Sequence, residues 1–125
     1  MITAAVCYDC HTPQKNNKYI QEMAYAGGFE FQLQTGGVVR SANLTPDPET
    51  GMGKWTKEQF LARFKAYADS SFVPMKIENG TYNTAMPLQY YGTMKEEDLS
   101  AIYDYLRSLK PISNKVIKFS PPVSN

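Results

Sequence analysis

The sequence predicts a mostly α-helical domain in which three to four short helices are joined by long loops. Apolar residues recur at helical spacing in two segments, at 57–69 and at 95–109. Segments rich in proline, glycine, aspartate and threonine separate these periodic stretches. The third observation is a C-x-x-C-H pentapeptide at positions 7–11. Short helices with long loops make a poor core by themselves, so we expect the loops to wrap around a flat apolar group held by that pentapeptide.

The first part of the chain is predicted to contain one short helix, one brief helix and two extended segments. The first helix covers residues 2–12 and ends there because the residue before Pro13 is disfavoured in the α region. Residues 15–18 form a polar turn, and a brief helix is expected over 19–25. Apolar and polar residues then alternate over 29–34, a pair of glycines follows at 36–37, and two valines come after it, which predicts two short extended segments joined by a tight turn.

The middle of the chain is predicted to alternate between loops and one helix. A loop over 43–54 leads to a helix over 57–69. Thr56 is the expected N-cap of this helix, with Gln59 at the third helical position as in a capping box. The stretch 70–92 has no periodic pattern and is predicted to be irregular, and loops of that length are commonly functional.

The last helix is predicted over 95–109 and is ended by Pro111. Its start has two alternatives, a capping box formed by Thr93 with Glu96, or a cap at Lys95. The proline-containing tail that follows, residues 111–125, is predicted to be an extended strap.

The pentapeptide at 7–11 is the attachment motif of a c-type haem. Cys7 and Cys10 lie on one helical turn, where their thiols can form thioethers to the two vinyl groups of one porphyrin. The imidazole of His11 is then carried under the iron as the proximal ligand. The predicted cofactor is therefore one haem c, covalently bound through Cys7 and Cys10.

Two other interpretations of the pentapeptide are weaker. A structural zinc site needs about four cysteine or histidine ligands, but the chain has only Cys7, Cys10 and His11 to offer. A thioredoxin-like pair belongs at a strand-to-helix junction, whereas residues 1–6 are predicted to run into the motif as a helix. A chance match of the pentapeptide is the remaining alternative.

Composition limits the classes of partner and compartment. Lys and Arg total 13 against 12 for Asp and Glu, so the charge balance gives no support for nucleic-acid binding. No apolar run is long enough to span a bilayer, and the first residues lack the features of a signal peptide. Because haem is attached covalently outside the cytoplasm, we expect a periplasmic or otherwise extracytoplasmic domain whose export segment is not in this chain.

Because the chain has no second histidine, the sixth coordination site can take a methionine sulfur, a lysine, an asparagine or water, or stay open, and a methionine sulfur is the strongest candidate. Met86 precedes Pro87, which makes the local backbone extended, and it lies in the long loop before the last helix. Met75, which follows Pro74, is the main rival. Packing arguments favour Met86 without excluding Met75 or the remaining candidates, which are Met23, Met52 and Met94.

Four segments of the chain carry a recognisable pattern, namely residues 7–13 (CYDCHTP), 36–56 (GGVVRSANLTPDPETGMGKWT), 86–87 (MP) and 97–109 (EDLSAIYDYLRSL). With these segments the chain resembles class I c-type cytochromes, and more narrowly the cytochrome domains of bacterial membrane-bound alcohol and aldehyde dehydrogenases. The resemblance covers nearly the whole chain, and its most specific part is the loop that ends in tryptophan. It implies a class I cytochrome c fold wrapped around one covalent haem.

The resemblance also implies roles for individual residues. It makes His11 and Met86 the axial ligands and places Trp55, Arg40 and Asn43 in the loop that folds around the haem propionates. The family's first helix begins further upstream of the cysteines than here, so we expect residues 1–125 to be a single mono-haem domain with a truncated N-terminal helix.

The predicted function is electron transfer on a His/Met-ligated haem c, without catalysis by the chain itself. With His11 bound to iron, no histidine is left for acid–base chemistry. The expected partners are redox proteins on the dehydrogenase or terminal-oxidase side. The alternatives are a haem domain with an open sixth site, which would sense gases or resemble a peroxidase, and an electron-entry module of a larger dehydrogenase complex.

Overall fold

A computed structural model describes residues 6–34, 36–68 and 86–122 of the chain. Within these ranges the helices are short, as predicted, and they are α1 (Cys7–His11), α2 (Lys57–Lys65), α3 (Leu88–Gly92) and α4 (Glu96–Arg107). The strands are β1 (Gln14–Lys15), β2 (Lys18–Tyr19), β3 (Glu30–Gln32), β4 (Val38–Arg40) and β5 (Phe119–Ser120). Two single turns of 3₁₀ helix cover Gln21–Met23 and Ala66–Ala68. The mostly helical class is thus confirmed, with two small sheets added to it.

The helix that carries the pentapeptide begins at Cys7. Val6 adopts a left-handed conformation with φ 50°, so the prediction of a helix running through Val6 into the motif is wrong. The earlier part of that predicted helix lies outside the described residues. At the other end, Thr12 is extended at φ −116° and ψ 126°, as expected for a residue that precedes proline.

A β-hairpin follows α1. Asn16 and Asn17 both have positive φ, at 55° and 62°, as a two-residue turn of type I′ between β1 and β2 requires. The polar turn is therefore confirmed, but the brief helix predicted over 19–25 is wrong. Tyr19 ends a strand, only Gln21–Met23 is helical, and Tyr25 has φ 64°, which interrupts any continuous helix.

The larger sheet has the order β3-β4-β5 and is antiparallel throughout. The predicted pair of extended segments is confirmed as β3 and β4, with Phe31 opposite Val39. The tail does more than the predicted strap, because β5 adds a third strand in which Phe119 pairs with Val39.

The capping box of α2 is present. The Thr56 hydroxyl accepts from the Gln59 N–H at 3.1 Å, and the Gln59 side chain accepts from the Thr56 N–H at 3.0 Å. The α-helix ends at Lys65 and continues as a 3₁₀ turn, so it is shorter than the predicted 57–69.

The last helix begins after Lys95, which was one of the two predicted starts. The alternative capping box of Thr93 with Glu96 is wrong, because the Thr93 hydroxyl donates to the Tyr90 carbonyl at 2.6 Å. That bond belongs to the end of α3, a helix within the stretch that was predicted to be irregular.

The core lies between α2, α3, α4 and the loop over 43–54. It contains aromatic and aliphatic side chains with one buried methionine, namely Tyr25, Met52, Phe60, Phe64, Leu88, Tyr91, Leu99, Ile102 and Leu106. Three of these, Leu99, Ile102 and Leu106, come from one face of α4, as its periodicity predicts. Among the described residues, no helix combines the length and the apolar character needed to cross a membrane.

Candidate functional site

One deep cavity of about 380 Å³ opens between the core and the segment that leads to β5. This volume is in the range of about 300–1,000 Å³ that ligand and cofactor pockets occupy. Its walls are mostly apolar and come from α1, β4, the loop over 43–54, the helices α2, α3 and α4, and the tail. The structure brings all seven predicted site residues to this cavity: Cys7, Cys10, His11, Arg40, Asn43, Trp55 and Met86.

The imidazole of His11 is buried, with 8% of the residue exposed, and its orientation is fixed. Its Nδ1 lies 2.7 Å from the carbonyl oxygen of Ala42, so the Nδ1–H donates to that oxygen. Nε2 is then the unprotonated nitrogen, which is the form that a metal ligand requires. Burial lowers the pKa of His11, although the bond to Ala42 partly opposes that shift. The result is a neutral, oriented imidazole in the cavity wall.

Cys7 and Cys10 flank the same wall, one helical turn apart on α1. Both are free thiols and both are half-buried. Burial raises the pKa of the Cys7 thiol to about 11 and also raises the pKa of Cys10. Two protonated thiols beside a neutral imidazole form an uncharged end of the cavity, which suits an apolar ring system.

A close backbone contact supports the His11 side of the cavity. Gly27 has φ +80°, and a Cβ at this position would lie 2.5 Å from the Ala42 carbonyl carbon. Its N–H donates to the His11 carbonyl at 2.7 Å, and the neighbouring Gly28 N–H donates to Ser41 at 2.8 Å. Gly27 therefore allows the backbone at Ala42, whose carbonyl accepts from the His11 ring, to approach α1. Gly27 and Ala42 were not predicted to belong to the site, although the pair Gly27 and Gly28 is visible in the sequence.

The methionines separate into those at the cavity and those away from it. Met86 and Met52 line the cavity, whereas Met23 and Met94 are absent from its described lining. Met75 lies outside the described residues. Met86 is half-buried against the core, and its carbonyl accepts from the Leu88 N–H at 2.9 Å where α3 begins. Met52 is buried in the core itself, so it becomes a second candidate ligand beside Met86.

Asn43 is buried, with 4% exposed, and its side-chain amide joins the loop over 43–54 to the tail. The Nδ2 group donates to the Ile112 carbonyl at 2.8 Å and to the Thr50 hydroxyl at 3.2 Å. The Oδ1 atom accepts from the Thr45 N–H at 2.9 Å and from its hydroxyl at 2.7 Å. Because these partners are all within the protein, the predicted role of Asn43 toward a propionate stays a prediction.

Arg40 ties the three strands of the larger sheet together beside the cavity. Its Nε donates to a carboxylate oxygen of Glu30 at 2.9 Å. Its Nη1 donates to the Ile117 carbonyl at 3.1 Å and to the Ser120 hydroxyl at 2.9 Å. The guanidinium therefore holds the tail against the cavity wall and adds positive charge there.

Trp55 lies at the cavity with 39% of the residue exposed. Its backbone carbonyl accepts from the Tyr103 hydroxyl at 2.7 Å. No described residue accepts a hydrogen bond from its indole N–H, so this donor is available to a bound group. Of the three residues predicted to surround the haem propionates, Trp55 is the one whose side-chain donor has no partner among the described residues, and its role toward a propionate stays a prediction.

Several residues of the cavity were not found from the sequence. Tyr91 belongs to the wall, and burial, followed by the nearby Cys7 and Cys10, raises its pKa to about 12. Basic side chains also reach the cavity from α2 and the tail, namely Arg63, Lys115 and Lys118. No sequence pattern marks Tyr91 or Arg63 as site residues. Lys115 and Lys118 come close to the cavity only because β5 pairs with β4.

The residues of this cavity fit a covalent haem. Two thiols and a neutral imidazole lie at one end, thioether sulfurs line the wall, and basic groups with an unused indole N–H are available for two carboxylates. Buried carboxylates need donors or countercharges of this kind.

Comparison with known proteins agrees with this chemistry. The family model for cytochrome c matches residues 1–110. The chain is 30% identical over 121 residues to the cytochrome c subunit of a quinone alcohol dehydrogenase from Gluconobacter oxydans, covering 94% of this chain and 22% of that protein. It is 27% identical to the fructose dehydrogenase cytochrome subunit of Gluconobacter japonicus, covering 87% of this chain and 20% of that subunit.

A third relative, the gluconate 2-dehydrogenase cytochrome c subunit of Pantoea cypripedii, is 27% identical over 88% of this chain and 22% of its own length. The chain thus spans about a fifth of the length of these relatives. Cytochromes c bind haem c covalently, and the motif formed by Cys7, Cys10 and His11 is consistent with that attachment. Its sequence match and its haem-binding motif together show that this chain belongs to the cytochrome c family.

Proposed function

We propose that the chain is a mono-haem electron-transfer domain whose iron is ligated by His11 and Met86. The observation that carries the proposal is that the oriented imidazole of His11 and the residue Met86 line the same cavity. When bound, haem c supplies a one-electron couple between ferric and ferrous iron. A thioether ligand favours the ferrous form, so the potential should lie in the upper part of the roughly 0.8 V range that axial ligands command.

The chain's own residues bind and orient that group. Cys7 and Cys10 provide the covalent attachment, and the hydrogen bond to Ala42 holds the His11 ring in one orientation. Trp55, with Arg40 nearby, supplies a donor and a positive charge for the propionates. The apolar side chains of α4 exclude water from the cavity, which limits the reorganisation that accompanies a change of charge.

We propose further that the domain carries electrons and does not catalyse a reaction itself, and that its partner is a dehydrogenase. Two findings support this partner: the relatives are named as cytochrome subunits of dehydrogenases, and this chain matches about a fifth of their length. Within such a protein, the domain would be the module through which electrons enter or leave. Covalent haem attachment supports an extracytoplasmic, periplasmic location.

The ligation state tests the proposal. The holo-protein should have a low-spin ferric spectrum with the weak red band of a sulfur–iron bond, and its ferrous form should not bind carbon monoxide. A reversible one-electron wave should accompany these spectra. A high-spin ferric spectrum with ready carbon monoxide binding would contradict the proposal and favour a domain with an open sixth site.

A further inference from the structure

The peptide group between Trp55 and Thr56 is held from both sides by side chains of two different helices. The Trp55 carbonyl accepts from the Tyr103 hydroxyl of α4 at 2.7 Å. The Thr56 N–H donates to the Gln59 side chain of α2 at 3.0 Å. Because a peptide group is planar, these two bonds together set the orientation of the backbone that carries the indole.

Tyr103 is itself held in place by its neighbours. Two cations contact its ring, with Lys57 Nζ 5.8 Å and Arg107 Cζ 5.9 Å from the ring centroid. The Phe60 ring packs against it at a centroid distance of 5.5 Å. Lys57 also forms an ion pair with Asp104 at 2.9 Å. The hydroxyl of Tyr103 therefore has a defined position from which to donate.

Arg107 extends the same contact along the loop. It lies one helical turn after Tyr103 on α4, on the same face. Its Nη1 donates to the Gly53 carbonyl at 2.8 Å and to the Met52 carbonyl at 3.3 Å. The end of the loop that brings Trp55 to the cavity is therefore bound to the polar side of α4, while the apolar side of α4 lines the cavity.

We propose that Tyr103 is a positioning residue that holds the indole of Trp55 where its free N–H meets a haem propionate. The inference rests on the proposed electron-transfer function and deepens it, since a fixed donor at a propionate sets the charge environment of the iron. Tyr103 lies outside the cavity lining and acts only through Trp55.

The test uses the holo-protein and two readouts that a purely structural role would not move. Trp55 is the only tryptophan, so the indole fluorescence comes from this residue alone. Haem quenches that fluorescence less as the indole moves away from it, so the fluorescence reports the position of Trp55. Tyr103→Phe should raise the residual fluorescence and shift the reduction potential in the same direction as Trp55→Phe. Combined with Trp55→Phe, it should produce no additional shift of the potential.

Tyr105→Phe is the matched control, because it removes a tyrosine hydroxyl from the same helix at a ring that packs against Tyr25 and not against Trp55. It should leave the fluorescence unchanged. Gln59→Ala releases the same peptide group from the other side and should act like Tyr103→Phe, which keeps the test informative if one variant folds poorly.

Three results would overturn the inference. The first is a Tyr103→Phe protein with unchanged fluorescence and potential. The second is a double variant in which Tyr103→Phe, added to Trp55→Phe, still shifts the potential as much as it does alone. The third is a Trp55→Phe protein with an unchanged potential, which would remove the donor role of Trp55. None of them alters the ligation state, so the electron-transfer proposal is judged separately by the spectra and by carbon monoxide binding.

Discussion

The Nδ1 of His11 lies 2.7 Å from the carbonyl oxygen of Ala42, 31 residues away along the chain. This bond exists because Gly27 lets the two segments approach, with its own N–H bonded to the His11 carbonyl. The orientation of the His11 ring thus depends on the close approach of two backbone segments, and a glycine without a side chain makes that approach possible.

Gly27→Ala should disturb this arrangement more than Gly28→Ala does. Both glycines have positive φ, so each substitution should cost about 1–2 kcal/mol of backbone strain. Only at position 27 does a Cβ also meet the Ala42 carbonyl, whereas at position 28 the nearest atom is 3.8 Å away. Urea unfolding should therefore show a larger loss for Gly27→Ala, together with a shifted reduction potential. Equal losses and equal potentials in the two variants would contradict this account.

Met86→Ala should open the sixth coordination site of the haem. We expect loss of the red sulfur–iron band, a lower potential and carbon monoxide binding to the ferrous protein, with the thioether attachment intact. Met52→Ala should instead cost about 2–5 kcal/mol of core packing without any of these changes. Met75→Ala should also preserve the band.

The opposite pattern would reassign the ligand. If Met52→Ala or Met75→Ala abolishes the band while Met86→Ala retains it, that methionine is the ligand and Met86 is a packing residue. If none of the three substitutions changes the spectrum, the sixth ligand is not one of these sulfurs.

Asn43→Ala should loosen the attachment of the tail to the loop over 43–54. The substitution removes the amide that accepts from the Thr45 hydroxyl and donates to the Ile112 carbonyl, and the loss of these buried bonds should cost about 1–3 kcal/mol. Trypsin should then cleave faster after Lys115, which follows the released contact. Ser113→Ala, at an exposed position of the same tail, is the control and should change neither stability nor cleavage. An unchanged cleavage rate in Asn43→Ala would show that the strand pairing of β5, with the bonds of Thr45 to Ile112 and of Thr50 to Asn114, holds the tail without Asn43.

Asp47 should contribute an acid-dependent part of the stability. Its carboxylate accepts from the Thr50 hydroxyl at 2.6 Å and from the Thr50 N–H at 2.8 Å, and these bonds lower the pKa of Asp47 in the folded protein. The contribution is therefore present above the unfolded pKa of about 3.9 and is lost as pH falls through the lower folded value.

Unfolding measured at a series of acidic pH values tests this sign. Asp47→Asn should flatten the loss of stability below about pH 4, near the unfolded aspartate pKa. A curve for Asp47→Asn that matches the unmodified protein would show that the two bonds to Thr50 do not favour the charged form.

Local sequence signals predicted the two longest helices, the capping box of α2 and the cofactor. The periodicity of Leu99, Ile102 and Leu106 predicted the apolar face of α4, and Thr56 with Gln59 predicted the start of α2, because both signals act within one or two helical turns. The pentapeptide at 7–11 identified haem c for the same reason, since its three groups are neighbours in the chain.

Contacts between distant segments were decided only by the tertiary structure. The 19–25 segment was predicted as a helix. Instead, Tyr19 belongs to the hairpin whose turn is formed by Asn16 and Asn17, and the positive φ of Tyr25 interrupts the rest of the segment. Pairing of β5 with β4 brings Lys118 to the cavity, and the hydroxyl of Tyr103 reaches Trp55 across 48 residues. No local propensity encodes such contacts, because they depend on how the packed elements meet around one cavity. The sequence alone therefore predicted the haem motif and the candidate site residues, and the fold decided which further residues line the cavity and hold them in place.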